Sequence, residues 1–279
     1  MTFYAEHLIV TRMIIDGRKI AEVVYEKTKA RVLLLGRAPV LAIITCDPNF
    51  ETKKYLALKE KKADAVGIET KIFELDTTNS TEDFLQAVRE AVLVSDGVIV
   101  QLPLPKTIDA DKVVRSIPSS HDVDALNPTT LKPLSPVVGS IKEILSVHEV
   151  TVSGKMVTVI GSGRLVGVPV YQWFTKEGAH GSVVTKDTAD ISYYTKNADI
   201  IVCGAGVPGL LTPDMIKDGV IILDAGTSEE GGELRGDANP ECAQKARLFT
   251  TVPGGIGPIT IAILLANVVD CALRKQSVV

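Results

Sequence analysis

The strongest constraint on this chain is an alternation. Short, almost wholly apolar runs rich in β-branched residues recur between longer amphipathic stretches. Val40–Ile44 and Gly97–Val100 are two such runs; Met156–Ile160, Ser182–Val184, Asp199–Cys203, Val220–Asp224 and Leu248–Thr251 follow. A strand with one wet face would alternate apolar and polar residues, whereas runs that are apolar throughout need cover on both faces. Helices give that cover when they connect parallel strands, so the pattern predicts an α/β fold. Ser80 followed three residues later by Asp83 predicts a capping box that opens one of those helices.

At 279 residues the chain is long enough for one large domain or two modest ones. Pro118, Pro128, Pro133 and Pro136 crowd the stretch from Ile117 to Val138, which has little periodicity and reads as a cleft or a domain connection. The pattern therefore places a first α/β domain at 1–138 and a nucleotide-binding sheet at 139–258. The apolar stretch 259–279 is expected to be a helix that packs back on the first domain.

Composition removes several classes of protein. Thirty Lys and Arg against 34 Asp and Glu leave a net charge of −4, which argues against a nucleic-acid footprint built on clustered cations. Hydrophobic residues at 46% and charged residues at 23% suit a chain with a full core rather than a disordered one. Cys46, Cys203, Cys242 and Cys271 lie far apart with no C-x-x-C pair, so neither a zinc site nor a disulfide framework is expected. Charges or turn residues interrupt every long apolar stretch, so no membrane span is expected. The stretch Met1–Arg12 carries Glu6, His7 and Arg12 and lacks the charge-then-apolar order of a signal peptide. These features point to a cytoplasmic protein without metal, membrane or nucleic-acid partners.

After the run Met156–Ile160 comes Gly161-Ser162-Gly163-Arg164-Leu165-Val166-Gly167. Glycines directly after a strand let the backbone turn tightly and approach a pyrophosphate, and the helix that follows presents free N–H groups to it. The spacing G-x-G-x-x-x-G is one residue longer than the common dinucleotide fingerprint, and a strand–helix turn that merely needs glycine would look similar. Further strand ends at Gly204-Ala205-Gly206 and Asp224-Ala225-Gly226-Thr227 support a flat ligand. The second strand ends at Thr185-Lys186-Asp187, where a basic residue favours a 2′-phosphate and an acidic one a free ribose hydroxyl. Lys186 leans toward NADP; Asp187 leaves NAD open.

The segment Thr52–Val66 reads as a helix with Tyr55, Leu56, Lys59, Ala63 and Val66 on one stripe and Lys53, Lys54, Glu60, Lys61 and Asp64 opposite. Lys59 thus falls in the middle of the face that should be buried. A desolvated ammonium gives up its proton more readily, so such a lysine can act as a base near neutral pH. Pattern alone equally allows a lysine lining a wet wall or snorkelling to water.

Tyr55 with Lys59, Gln101-Leu102-Pro103-Leu104-Pro105, Asp122-Val123-Asp124 and Pro253-Gly254-Gly255-Ile256-Gly257-Pro258-Ile259-Thr260 occur in this order. Together they resemble the bifunctional methylenetetrahydrofolate dehydrogenase/methenyltetrahydrofolate cyclohydrolase family, from about Ile14 to Lys275. The resemblance implies two domains, an N-terminal α/β catalytic domain and a Rossmann-like NAD(P)-binding domain, with a folate cleft between them, and a homodimer formed through the second. It implies oxidation of 5,10-methylenetetrahydrofolate by NADP, then hydrolysis of the methenyl product to 10-formyltetrahydrofolate. By position it makes Lys59 the essential lysine of hydrolysis, supported by Gln101. It places Tyr55 on the folate rings, Asp124 on the pterin edge, and Pro253, Gly254, Gly255 and Thr260 at the substrate. Gly161, Ser162, Gly163, Arg164, Gly167, Lys186, Gly204, Gly226 and Thr227 fall to the cofactor.

The chain also departs from the family pattern. His121 and Ala125 flank Asp-Val-Asp in place of a basic residue and a glycine, and Thr185 replaces a histidine. Gly163 stands where serine is usual. A Pro-x-Thr-Pro-x-Gly element becomes Leu134-Ser135-Pro136-Val137-Val138-Gly139, without the threonine that lies near the nicotinamide in related enzymes. Two alternatives follow: the same fold with only the cyclohydrolase step, or a nucleotide- or folate-binding protein that catalyses neither.

Overall fold

The computed structural model describes residues 12–48, 50–230 and 232–276. The stretch before Arg12 and the last three residues of the expected C-terminal helix lie outside the described residues. The chain opens with β1 (Met13–Ile15), α1 (Gly17–Leu35), β2 (Val40–Cys46), α2 (Phe50–Val66) and β3 (Glu69–Leu75). It continues through α3 (Thr81–Val94), β4 (Gly97–Val100), α4 (Ala110–Arg115) and α5 (Pro136–Val147). A second run follows: β5 (Met156–Ile160), α6 (Gly167–Lys176), β6 (His180–Val184), α7 (Ile191–Asn197), β7 (Ile200–Cys203) and β8 (Ile221–Asp224). It ends with the hairpin strands β9 (Ser228–Glu230) and β10 (Glu233–Arg235), then β11 (Leu248–Thr250) and α8 (Ile256–Gln276).

These elements form two compact units. One holds Arg18–Glu143 together with the chain from Pro258 onward; the other holds Ile144–Gly257 and the described residues up to Gly17. In the first, β3, β2 and β4 make a parallel sheet in that order. Ala42 and Ile44 of β2 and Val98 and Val100 of β4 share one core with Phe84, Val88 and Ala91 of α3 and Val113 and Val114 of α4. Side chains alternate across a strand, so Ile43, Thr45, Ile99 and Gln101 fall on the opposite face. The expected capping box is present: Ser80 Oγ accepts from Asp83 N, and the Asp83 carboxylate accepts from Ser80 N at 2.7 Å.

Helix α8 is long and apolar enough in composition to span a membrane, contrary to the expectation of no such stretch. Most of that length is core: Ile259, Ala262, Leu265, Val268, Val269 and Ala272 are fully buried. Asn267 Nδ2 in its middle donates to Val123 O at 2.8 Å and Leu134 O at 3.0 Å. Those two bonds satisfy a polar side chain inside the first unit and fix the helix against the segment that carries Asp122 and Asp124.

The other unit is a six-stranded sheet, order β1-β11-β8-β7-β5-β6, in which every neighbouring pair is parallel. The first 138 residues do not all stay together, as the pattern had suggested: β1 pairs with β11 and joins this second sheet. Three residues cannot build an amphipathic signature, so nothing in the sequence marked where β1 would go. The division falls at 143/144, inside α5, rather than at 138/139. Strand β3 also escaped notice, because it is an edge strand whose residues are exposed or only partly buried, with Glu69, Lys71 and Glu74 among them.

Candidate active site and dinucleotide loops

In the first unit, α2 buries Leu56, Ala63 and Val66 and with them Lys59, which is only 8% exposed. Gln101, on the residue after β4, faces the same side of the sheet, and Lys59 Nζ donates to its Oε1 at 2.9 Å. Gln101 Nε2 donates to Leu102 O at 3.1 Å, which fixes which end of the amide meets the lysine. Tyr55 lies one turn before Lys59 with its ring centroid 4.9 Å from Nζ. It is 39% exposed, so the ring can meet a ligand on one side and shield the amine on the other. Burial lowers the pKa of Lys59, and the negative charge of Asp124 partly opposes that. Burial pushes Asp124 up to about 6, against the attraction of Lys59 and with the repulsion of Asp122. Lys59 is therefore a desolvated amine paired with an amide rather than a side chain that snorkels to water.

Asp122 explains why Asp124 is where it is. It is buried and accepts from Asn127 N at 2.8 Å, Leu126 N at 3.2 Å and Thr130 Oγ1 at 2.8 Å. Its partners wrap the chain into a tight turn through Ala125, whose φ is +52°. That left-handed conformation crowds a Cβ and costs about 1–2 kcal/mol in any residue but glycine. Ala125→Gly is expected to raise unfolding stability by about 1 kcal/mol, net of glycine's greater unfolded-state entropy. A melting curve that is unchanged or lower would show the strain to be absent.

The segment 134–139 keeps a hydroxyl at its first turn. Ser135 is buried, its Oγ accepts from Val138 N at 3.4 Å, and its carbonyl accepts from Gly139 N at 2.8 Å. Gly139 lies against Ile263 of α8, where a Cβ would come within 2.6 Å of Cγ2. Thr260 belongs to this unit too, with its hydroxyl 3.3 Å from Ser140 Oγ.

In the second unit the predicted loops all leave the same ends of parallel strands. The order places β6 on one side of β5 and β7 on the other, so the chain reverses direction across β5. Open α/β sheets bind ligands in the crevice beyond the strands at such a reversal. Gly161, directly after β5, has φ +101°, and a Cβ there would come within 2.5 Å of Gly204 O, directly after β7. Gly167, the first residue of α6, would overlap Gly161 O if it carried a Cβ. The two loops thus pack backbone to backbone, and Ser162, Gly163 and Arg164 lie exposed between them. Lys186 is exposed in the turn after β6, a turn closed by Thr188 Oγ1 accepting from Thr185 N at 3.0 Å. Gly226 is buried after β8 and Thr227 beside it is exposed.

Pro253, Gly254 and Gly255 also belong to this unit. Gly254, at φ +103°, accepts from Gly17 N at 3.0 Å, and Gly255 N donates to Thr251 O at 2.8 Å. Gly254, predicted at the substrate, thus ties Gly17 to the turn after β11 within this unit. The arrangement of β5, β6, β7 and their glycine turns fits a dinucleotide.

Two buried carboxylates in this unit escaped sequence reasoning: Asp224 at the end of β8 and Asp237 after β10. A signal existed for the first. Asp224 closes the apolar run Val220–Leu223, and a charge at the end of a strand buried on both faces needs partners. Asp237 sits in a polar stretch with no periodicity, and nothing in the sequence distinguished it.

Both domains of one family match the sequence. Residues 15–124 match the catalytic domain of tetrahydrofolate dehydrogenase/cyclohydrolase, and residues 135–276 match its NAD(P)-binding domain. Among relatives, the bifunctional protein FolD of Nautilia profundicola is 34% identical over 93% of this chain and 96% of its own length. That of Aquifex aeolicus is 34% identical over 94% and 96%. A crystal structure of FolD from Campylobacter jejuni superposes with a TM-score of 0.90 at 32% identity, covering 94% of this chain and 99% of its own. FolD from Trypanosoma brucei, solved with NADP and an inhibitor, gives 0.88 at 31% identity over 95% and 98%. With both domain families matched in order and relatives above 30% identity along almost the whole length, this chain belongs to the tetrahydrofolate dehydrogenase/cyclohydrolase family.

Proposed function

We propose that the protein oxidises 5,10-methylenetetrahydrofolate to the 5,10-methenyl form with NADP, and hydrolyses the methenyl form to 10-formyltetrahydrofolate. The observation that carries this reading is the buried Lys59–Gln101 pair beneath Tyr55, with the charge of Asp124 acting on it. The methenyl substrate is a cation, so a lysine that burial inclines to lose its proton does not repel it. Lys59 takes a proton as water adds to the bridging carbon; the new hydroxyl's proton then passes to the nitrogen whose C–N bond breaks, leaving the formyl group on the other nitrogen, and Lys59 releases its proton to solvent. Gln101, which accepts from Nζ, holds the amine in place through this step. Asp124 receives the donor groups of the pterin edge, and Tyr55 covers a ring face. When bound, NADP would supply the acceptor for the hydride that leaves the methylene carbon. For that step the chain's own residues only bind and align, with the loops at 161–167 and 204–207 setting the dinucleotide.

An absorbance assay tests the proposal. Purified protein with 5,10-methylenetetrahydrofolate is run with NADP⁺ and with NAD⁺, and methenyltetrahydrofolate is followed alone. Reduction of NADP⁺ with accelerated loss of methenyltetrahydrofolate is the expected result. Accelerated loss without reduction of either nucleotide would leave only the cyclohydrolase, and no turnover at all would overturn the reading. Lys186 supports the preference for NADP, and Lys186→Ala is expected to narrow the gap between the two nucleotides.

The pH dependence follows from Asp124. Burial raises its folded-state pKa to about 6, above the ordinary carboxylate value, so the folded state favours the neutral acid. The stability this contributes is full below about pH 4 and is lost as pH rises through about 6. Binding runs the other way, because the pterin's donors need the carboxylate. Cyclohydrolase kcat/KM is expected to rise with pH along a limb centred near 6, and Asp124→Asn is expected to remove that limb. A D124N profile that kept it would assign the limb to another group.

The reading extends to a cytoplasmic homodimer that joins through the nucleotide-binding unit. Its support is the family resemblance and four cysteines that are all unpaired.

A further inference from the structure

Asp237 is fully buried, yet the groups it accepts from lie in an exposed loop. Its Oδ2 accepts from Ala205 N at 2.6 Å and Gly206 N at 3.0 Å, and its Oδ1 accepts from Val207 N at 2.8 Å. Three successive backbone N–H groups converging on one point form the concavity that elsewhere holds a ligand's anion. Here the chain's own carboxylate fills it, so the loop after β7 is not a phosphate site but a pinned wall. Gly226 backs the clamp, since a Cβ there would overlap the Asp237 carboxyl. Asp224 repeats the device one strand over, accepting from Gly226 N at 3.0 Å and Ala238 N at 2.8 Å. The chain on either side of Asp237 is also paired: Gly209 N donates to Gly236 O and Leu211 N to Asp237 O. The stretch that carries Asp237 is therefore also tied to the chain just after the loop.

The position of this wall gives it a task. The loop after β5 takes the pyrophosphate, and the turn after β6, with Lys186, takes the adenosine ribose. Strand β7 lies on the other side of β5, so the loop 204–207 faces the remaining half of the dinucleotide, the half that accepts the hydride. We infer that Asp237 is a positioning residue for hydride transfer, holding the loop 204–207 as a fixed wall against the nicotinamide half of NADP. This rests on the dehydrogenase reading proposed above.

Asp237→Asn preserves shape, removes the charge and turns an NH₂ toward N–H groups that need acceptors. Dehydrogenase kcat is expected to fall roughly 10- to 100-fold, the scale of a small misplacement of reacting groups, with the KM for NADP⁺ raised. The affinity for adenosine 2′,5′-bisphosphate, which carries only the other half, is expected to stay unchanged, as is cyclohydrolase turnover. Unchanged dehydrogenase kinetics would overturn the inference. So would an equal loss of affinity for the bisphosphate fragment, because that would mean the whole unit had loosened. Should the variant fail to fold, amide exchange on the unmodified protein decides. The amides of residues 205–207 are expected to be protected although the loop is exposed, and exchange at the rate of an open chain would overturn the clamp. A wild-type protein that reduces no NADP⁺ refutes the dehydrogenase reading itself, and that result is visible before any variant is made.

Discussion

Replacing Lys59 by methionine is expected to lower cyclohydrolase turnover by roughly a thousandfold, within the range that a positioned acid–base group contributes. Methionine keeps the length and burial of the lysine stem and removes only the amine. Leu56, Ala63 and Val66 hold the buried face of α2 without it, so the helix is expected to remain docked. The main structural cost is that Gln101 Oε1 loses its donor, about 1–3 kcal/mol for a polar atom left unpaired out of water. Hydride transfer asks for alignment rather than a base, so dehydrogenase turnover is expected to survive. Lys59→Arg sharpens the test. Arginine keeps a positive charge but does not give up a proton under ordinary conditions, so it should be as inactive as methionine if Lys59 moves a proton. An arginine variant close to wild type would make the residue a fixed charge, and normal hydrolysis by the methionine variant would remove it from the mechanism.

How much of this was readable beforehand varied with the physics involved. Seven of the strand runs were visible, most of them because strands buried on both faces leave continuous apolar stretches; edge strand β6, mostly exposed or half-buried, showed only its last residues, Ser182–Val184. Strand β3 was not, because an edge strand keeps charges such as Glu69 and Lys71. Lys59 stood out because a lysine in the middle of an apolar stripe contradicts its surroundings, and the structure resolves the contradiction with Gln101. Ala125 was noted only as a departure from a glycine; its cost became visible with φ at +52°. Asp237 was illegible, since what defines it is three N–H groups brought to one carboxylate from about thirty residues away. Long-range convergence of backbone leaves no local pattern. The glycines at 161, 167 and 204 lie between these cases: their spacing was readable, but not that they need to be glycine to let two loops touch.

That need sets the second large effect. Gly167→Ala is expected to raise the KM for NADP⁺ by tenfold or more, about 1.4 kcal/mol at the least, while cyclohydrolase turnover stays near wild type. The added methyl would occupy the space of Gly161 O and C and approach Ser162 Cα, all of them backbone atoms. No side-chain rotation relieves such an overlap, so either α6 backs away or the loop after β5 moves. Either shift spoils the approach of a pyrophosphate to the N–H groups at the start of α6, where the helix dipole and free donors are strongest. Gly163→Ala is the internal control. It lies in the same loop, its Cβ would meet nothing within 4 Å, and it is expected to bind NADP⁺ within a fewfold of wild type. Equal losses at 163 and 167 would mean that any change in the loop is damaging and that close packing of backbone is not the reason. A loss at 167 alone ties the nucleotide site to the close packing of the start of α6 on the turn after β5, whose Gly161 in turn packs against Gly204 after β7.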